Sequence, residues 1–108
     1  MTDDNYNAEI ANSDLPVVLD LWGPGCAPCK QLAPIISSLA KKYHGRVKVA
    51  ECNVAENPDV GRKLRIRGTP TVVYFKKGKE IERAVGFKGS LYHTEIIETE
   101  FLGNEFKI

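Results

Sequence analysis

The chain has 108 residues, 43% of them hydrophobic, with 15 Lys and Arg against 14 Asp and Glu for a formal net charge of +1. That is enough apolar material for one core, so a single globular domain over residues 1–108 is expected, and the near-neutral balance excludes a field able to grip nucleic acid or an anionic membrane. No stretch approaches the roughly 18 consecutive apolar residues of a membrane helix, which leaves proteins or small molecules as partners.

The opening "MTDDNYNAEI" is acidic and polar, with no basic region ahead of an apolar run. It does not read as a secretory signal, and a reducing cytoplasm is the expected compartment. Thr2, Asp3 and Asp4 are helix starters before a short first helix carrying Tyr6 and Ile10, which "NSDLP" ends. "PVVLDLW", residues 16–22, has the β-branched, nearly continuous apolar pattern of a strand buried on both faces, with Asp20 as its anomaly. A helix follows in which Leu32, Ile35, Ile36, Leu39, Ala40 and Tyr43 fall on one face and His44 and Gly45 mark the end. Pro34 removes the backbone bond to the Lys30 carbonyl and is expected to kink it. "RVKVAECNV" reads as a second strand, with Val47, Val49 and Glu51 on one face and Lys48, Ala50 and Cys52 on the other.

"NPDVGRKL" reads as a short helix opened by Asn57 and Pro58, and "PTVVYF" as a third strand. "KKGKE" turns the chain into a fourth strand, "IERAV", antiparallel to the third; its Lys76, Lys77 and Lys79 form the one sizeable basic cluster and read as a solvated hairpin turn. Ser90 is expected to cap a last helix that buries Leu91, Ile96, Ile97 and Phe101 and closes at Gly103. Both His44 and His93 read as surface or helix-end residues, and Cys52 as a small buried hydrophobe. The order αβαβαββα, one parallel crossover followed by a hairpin, implies an α/β sandwich with a mixed central sheet.

Cys26, Cys29 and Cys52 are an odd, sparse set that does not suit a disulfide scaffold. A C-x-x-C pair serves either half of a zinc site or a disulfide-exchange site. Zinc needs about four ligands, and Cys52, His44 and His93 supply no second close-spaced pair. Cys26 follows a strand and a Gly-Pro-Gly turn and opens the long helix, where unpaired backbone donors and the helix dipole favour a thiolate. Cys29 sits one turn later, within reach of a mixed disulfide at Cys26, and Pro28 fits a first turn that needs no backbone donor. The surroundings suit exchange chemistry.

The segment "LDLWGPGCAPCK" is similar to the W-C-G-P-C-K motif of the thioredoxin family, which follows a strand carrying an aspartate. Trp22, Cys26, Pro28, Cys29, Lys30, Pro34, the "GTPT" of residues 68–71, Gly78 and Gly86 match family positions in order, so the resemblance covers nearly the whole chain. It implies a thioredoxin-like fold, with a mixed sheet of about four strands flanked by helices on both faces. It also implies a dithiol-disulfide oxidoreductase in which Cys26 attacks a substrate disulfide and Cys29 resolves the intermediate, with no cofactor and no metal. Pro70 would be the cis-proline beside the cysteines, and Thr69 would offer backbone groups to an extended substrate segment. Trp22, Gly25, Ala27, Pro28 and Gly86 would complete the substrate-binding rim. Asp20 resembles the family's buried aspartate, which exchanges a proton with the resolving cysteine and whose pKa desolvation raises. A thioredoxin reductase would supply electrons, disulfide-containing proteins would be the targets, and the chain would be a monomer.

Four departures from the family pattern carry expectations of their own. The usual leading strand has no counterpart, so a sheet edge is expected, partly covered by the first helix and not filled by "NEFKI", residues 104–108. Gly25, after Pro24, replaces the usual tryptophan and leaves a smaller, less apolar rim, and Ala27 replaces a glycine between the cysteines. Glu51 stands where many members place a lysine facing the aspartate. If Glu51 turns inward, two carboxylates in a poorly hydrated place share a proton and form a relay; if outward, it does nothing there. The reading is a cytoplasmic reductant of protein disulfides. An oxidase or isomerase would use the same chemistry at another potential, the range running from about −270 mV for thioredoxin to about −120 mV for a strong oxidant. A redox-inert binding module would need none of Cys26, Cys29, Asp20 and Pro70.

Overall fold

The computed structural model describes residues 1–104. The chain runs α1 (Tyr6–Ala11), β1 (Val17–Trp22), α2 (Ala27–Lys42), β2 (Lys48–Asn53), α3 (Pro58–Lys63), β3 (Thr71–Lys76), β4 (Lys79–Val85) and α4 (Ser90–Ile96), which a π-helical stretch, Ile97–Phe101, prolongs. The strands form one four-stranded sheet in the order β2-β1-β3-β4. β1 is parallel to β2 and antiparallel to β3, which pairs antiparallel with β4. This is the expected mixed α/β sheet, and it has β1 inside because "VVLDLW" can be dehydrated on both faces.

Side chains alternate across each strand, so two cores form. On one face Val18, Val72 and Tyr74 pack with Leu32, Ile36, Leu39 and Tyr43 of α2 and with Ile97 and Phe101. On the other, Leu19, Leu21, Cys52, Val73 and Phe75 pack with Tyr6 and Ile10 of α1 and Val60 of α3. Burying each such side chain contributes about 1.5–3 kcal/mol before chain entropy is charged against it. Lys41 and Lys42 in the last turn of α2 suit its dipole, and the helix continues without interruption through the exposed Pro34.

Three expectations about local structure are corrected. The cap of α4 is Gly89, without a side-chain bond, and Ser90 is the first helical residue. The buried stripe is therefore His93, Thr94, Ile97 and Phe101, while Leu91 is 58% exposed. The π-helical bond from Leu102 N–H to Ile97 O, 3.1 Å, widens the last turn so that Ile97 and Phe101 both face the sheet. His93 is fully buried, which a neutral imidazole tolerates because its Nδ1 is hydrogen-bonded to the Tyr74 hydroxyl. Desolvation pushes its pKa down to about 4.

The N-terminal segment is tied down by polar contacts. Thr2 and Asn5 cap each other, Thr2 N–H to Asn5 Oδ1 at 2.8 Å and Asn5 N–H to Thr2 Oγ1 at 3.3 Å. Asn57 stands at the cap of α3 but spends its Oδ1 on Asp3 N–H, 3.0 Å, while Asp3 Oδ1 accepts from Val60 N–H at 2.8 Å. The N–H of the third residue of α3 is thus capped by a carboxylate 57 residues away in sequence. Met1 donates its ammonium to Glu51 O, 2.9 Å, on the edge strand β2. Asn104 N–H bonds back to Glu98 O at 2.7 Å and does not join the sheet. Residues 105–108 of the tail lie outside the described residues.

Candidate active site

Cys26 is the N-cap of α2 and Cys29 lies in its first turn, and a disulfide joins them with Cα atoms 5.2 Å apart. Cys29 N–H donates to Cys26 Sγ at 3.2 Å, so the helix start directs an unpaired donor at this sulfur. Cys26 is half-buried, whereas Cys29 is only 6% exposed. Ala27 and Pro28 between them are exposed, with Pro28 at a position where α2 needs no N–H. Gly25 has φ 74°, a left-handed conformation that disfavours any side chain, so a tryptophan would meet backbone strain here although the space around it is open.

Beneath the disulfide lies a cavity of about 230 Å³ lined by Asp20, Trp22, Gly25, Cys29, Lys30 and Glu51, among others. Asp20 is buried in the middle of β1, and its Oδ1 has no hydrogen-bond partner among the described residues. Desolvation first, and the charge of Glu51 second, push its pKa up to about 6. In the sheet register Asp20 stands directly beside Glu51 of β2, which places both on the α2 side. Glu51 faces the cavity but is itself exposed, so the expectation of two dehydrated carboxylates is corrected: one is buried and the other acts on it from solvent. Trp22 is half-buried, and its buried Nε1 has no partner among the described residues.

Alongside, the Thr69–Pro70 bond is cis. Pro70 is buried, Thr71 Oγ1 donates to Gly68 O at 2.8 Å, and Pro70 O accepts from Gly86 N–H at 2.9 Å. Gly86, at φ 83°, is thereby fastened to this loop, and a Cβ on Gly23 would lie 3.7 Å from Thr69 Oγ1, which brings the β1–α2 loop against it. Among the described residues no group of three His, Cys, Asp or Glu side chains is gathered that could hold a metal ion. Arg62, Arg65 and Arg67 line a second cleft of about 410 Å³ that adjoins Gly68 and Thr69, so the lysine turn is not the one basic cluster. The signal was present in "RKLRIRGTP", where basic residues alternate up to the prolyl loop.

A half-exposed disulfide at a helix start, set over a buried carboxyl that titrates near neutrality, can accept or return two electrons with their protons. Fold and site together define a dithiol-disulfide oxidoreductase. The thioredoxin family model matches residues 1–98. The chain is 40% identical to a thioredoxin 1 of Nostoc over 80% of each chain, and 40% identical to a thioredoxin of Rickettsia felis over 82% of this chain and 84% of the other. With a thioredoxin of Rickettsia bellii the identity is 42%, over 80% and 82%. The chain belongs to the thioredoxin family, and its activity is that of a protein-disulfide reductase. Membership implies disulfide-bearing targets and a reductase partner in general terms. No helix among the described residues is long and apolar enough to cross a membrane.

Proposed function

We propose that Cys26 is the nucleophile and Cys29 the resolving thiol of a thioredoxin-type electron carrier. The Cys26 thiolate attacks one sulfur of a substrate disulfide; that S–S bond breaks, a mixed disulfide forms, and the departing thiolate takes a proton. Cys29, deprotonated, then attacks Cys26 Sγ, forms the Cys26–Cys29 disulfide and releases the second substrate thiol. Asp20, on the same cavity as Cys29, accepts the proton that Cys29 must lose, which a carboxyl titrating at about 6 does efficiently near neutral pH. Glu51 tunes this relay by holding Asp20 protonated to higher pH. Thr69 and the Pro70 loop take the substrate as an extended segment, with Trp22, Gly25, Ala27, Pro28 and Gly86 as its rim. A thioredoxin reductase returns the two electrons, and the protein works as a cytoplasmic monomer of one domain.

The observation that carries this reading is the asymmetry of the pair: the sulfur that caps the helix is accessible, and its partner is covered above the buried carboxyl. Limiting iodoacetamide on the reduced protein at pH 7 is expected to label Cys26 ahead of Cys29 and Cys52, and Cys29→Ser is expected to trap mixed disulfides through Cys26. Faster labelling of Cys29 would reverse the two roles.

A further inference from the structure

Helix α3 ends in a left-handed turn in which Arg65 N–H bonds to Arg62 O at 3.1 Å and Ile66 N–H to Gly61 O at 2.9 Å. This pattern favours glycine at its first left-handed position, yet that position holds Arg65 with φ 55°. A large side chain is kept where the backbone prefers none. Arg65 and Arg67 are exposed, and among the described residues neither pairs with a carboxylate, whereas Arg62 is paired with Asp59. Their cleft is continuous with Gly68 and Thr69, the residues that lead into the cis-prolyl bond. Two uncompensated guanidinium groups therefore flank the backbone that would receive a substrate segment.

We infer that this cleft selects disulfides whose flanking sequence is acidic, with Arg65 and Arg67 receiving Asp or Glu side chains a few residues from the attacked cysteine. The inference rests on the reductase reading above and adds to it a substrate class. Guanidinium groups receive carboxylates bidentately, and a segment lying along Thr69 carries alternate side chains toward the cleft. Such partly exposed pairs set preference and encounter rate more than tightness, and they weaken with salt.

The test uses the pre-reduced protein in single turnover, so that no reductase is needed, on two peptide disulfides of equal length. One carries Asp and Glu beside a cysteine and the other Asn and Gln at the same places. At about 20 mM salt the acidic peptide is expected to react about three- to tenfold faster, and by about 500 mM salt the two rates should converge. Arg65→Gly and Arg67→Gln should each shrink the ratio about two- to threefold, and together bring it close to one. Arg65→Gly should do so without lowering the thermal midpoint, since glycine suits that turn, which a merely structural arginine would not permit. Equal rates at low salt, a preference indifferent to salt, or a preference kept by the double variant overturns the inference. Reduction of neither peptide overturns the reductase reading, and this inference with it.

Discussion

At the scale of single residues, Asp20 combines structural cost with chemical use. Its carboxyl is buried with no partner for Oδ1 among the described residues, and desolvation with Glu51 in support holds its pKa at about 6. The proton-relay role makes a specific demand on Glu51, because an exposed neighbour acts only through its charge. Glu51→Lys should lower the Asp20 pKa below that of the wild type and carry the acid limb of disulfide reduction to lower pH with it, since Asp20 must be ionised to take the Cys29 proton. Glu51→Gln should give a smaller change in the same direction. Carboxyl titration by NMR measures the first effect and the pH profile of reduction the second; superimposable Asp20 curves for wild type and Glu51→Lys would remove Glu51 from the relay.

Among the elements, α3 shows how a short helix is held. Six residues form too few turns to persist alone, so its stability comes from Val60 in the core and from its caps. The cap is supplied from a distance by Asp3, whose own N–H donates in return to Asn57 Oδ1. Asp3→Ala is expected to cost about 0.5–2 kcal/mol, read as a lower urea midpoint, while Asp3→Asn should retain most of the stability. Equal midpoints for the Ala and Asn variants would show that the cap contributes nothing. The same helix carries Arg62 and positions Arg65, so fraying it should also blunt any preference for acidic peptides.

For the molecule as a whole, two buried groups tie folding to pH in opposite senses. Between pH 6 and 3.8 the folded protein holds the Asp20 proton and the unfolded chain does not, so acid favours the folded state through this group. Between pH 6.5 and 4 the unfolded chain protonates His93 and the folded protein does not, so acid favours unfolding through that one. Each displacement corresponds to about 3 kcal/mol, and the two largely offset one another over this window. Asp20→Asn should therefore stabilise the protein at pH 7 by up to about 3 kcal/mol and lose that advantage progressively down to pH 4. Urea unfolding of both proteins at pH 7 and pH 4.5 measures the difference, and parallel stability curves would show that Asp20 titrates alike in the folded and unfolded chains.

Features that depend only on near neighbours in the chain were legible before folding was considered. The apolar period of α2, the β-branched runs of β1 and β3, the lysine hairpin and the Cys26–Cys29 pair after a glycine turn need only the spacing of a few neighbours, and they carried the fold and the chemistry. The side on which Glu51 stands was also legible, because a strand has a period of two and β2 lies in register with β1. Its hydration was not, since that depends on how far α2 covers the sheet edge. The buried face of the last helix was not legible for the same kind of reason: "SLYHTEI" offers Leu91 and His93 equally to the core until Tyr74, on a strand 19 residues earlier, provides the imidazole with a partner. Asp3 as the cap of α3, and the arginines beside Thr69 as one cleft, exist only once segments distant in sequence are packed together. Tertiary structure decided these because burial and hydrogen bonding depend on the surroundings a residue finally meets, and a local pattern specifies only the direction in which its side chain leaves the backbone.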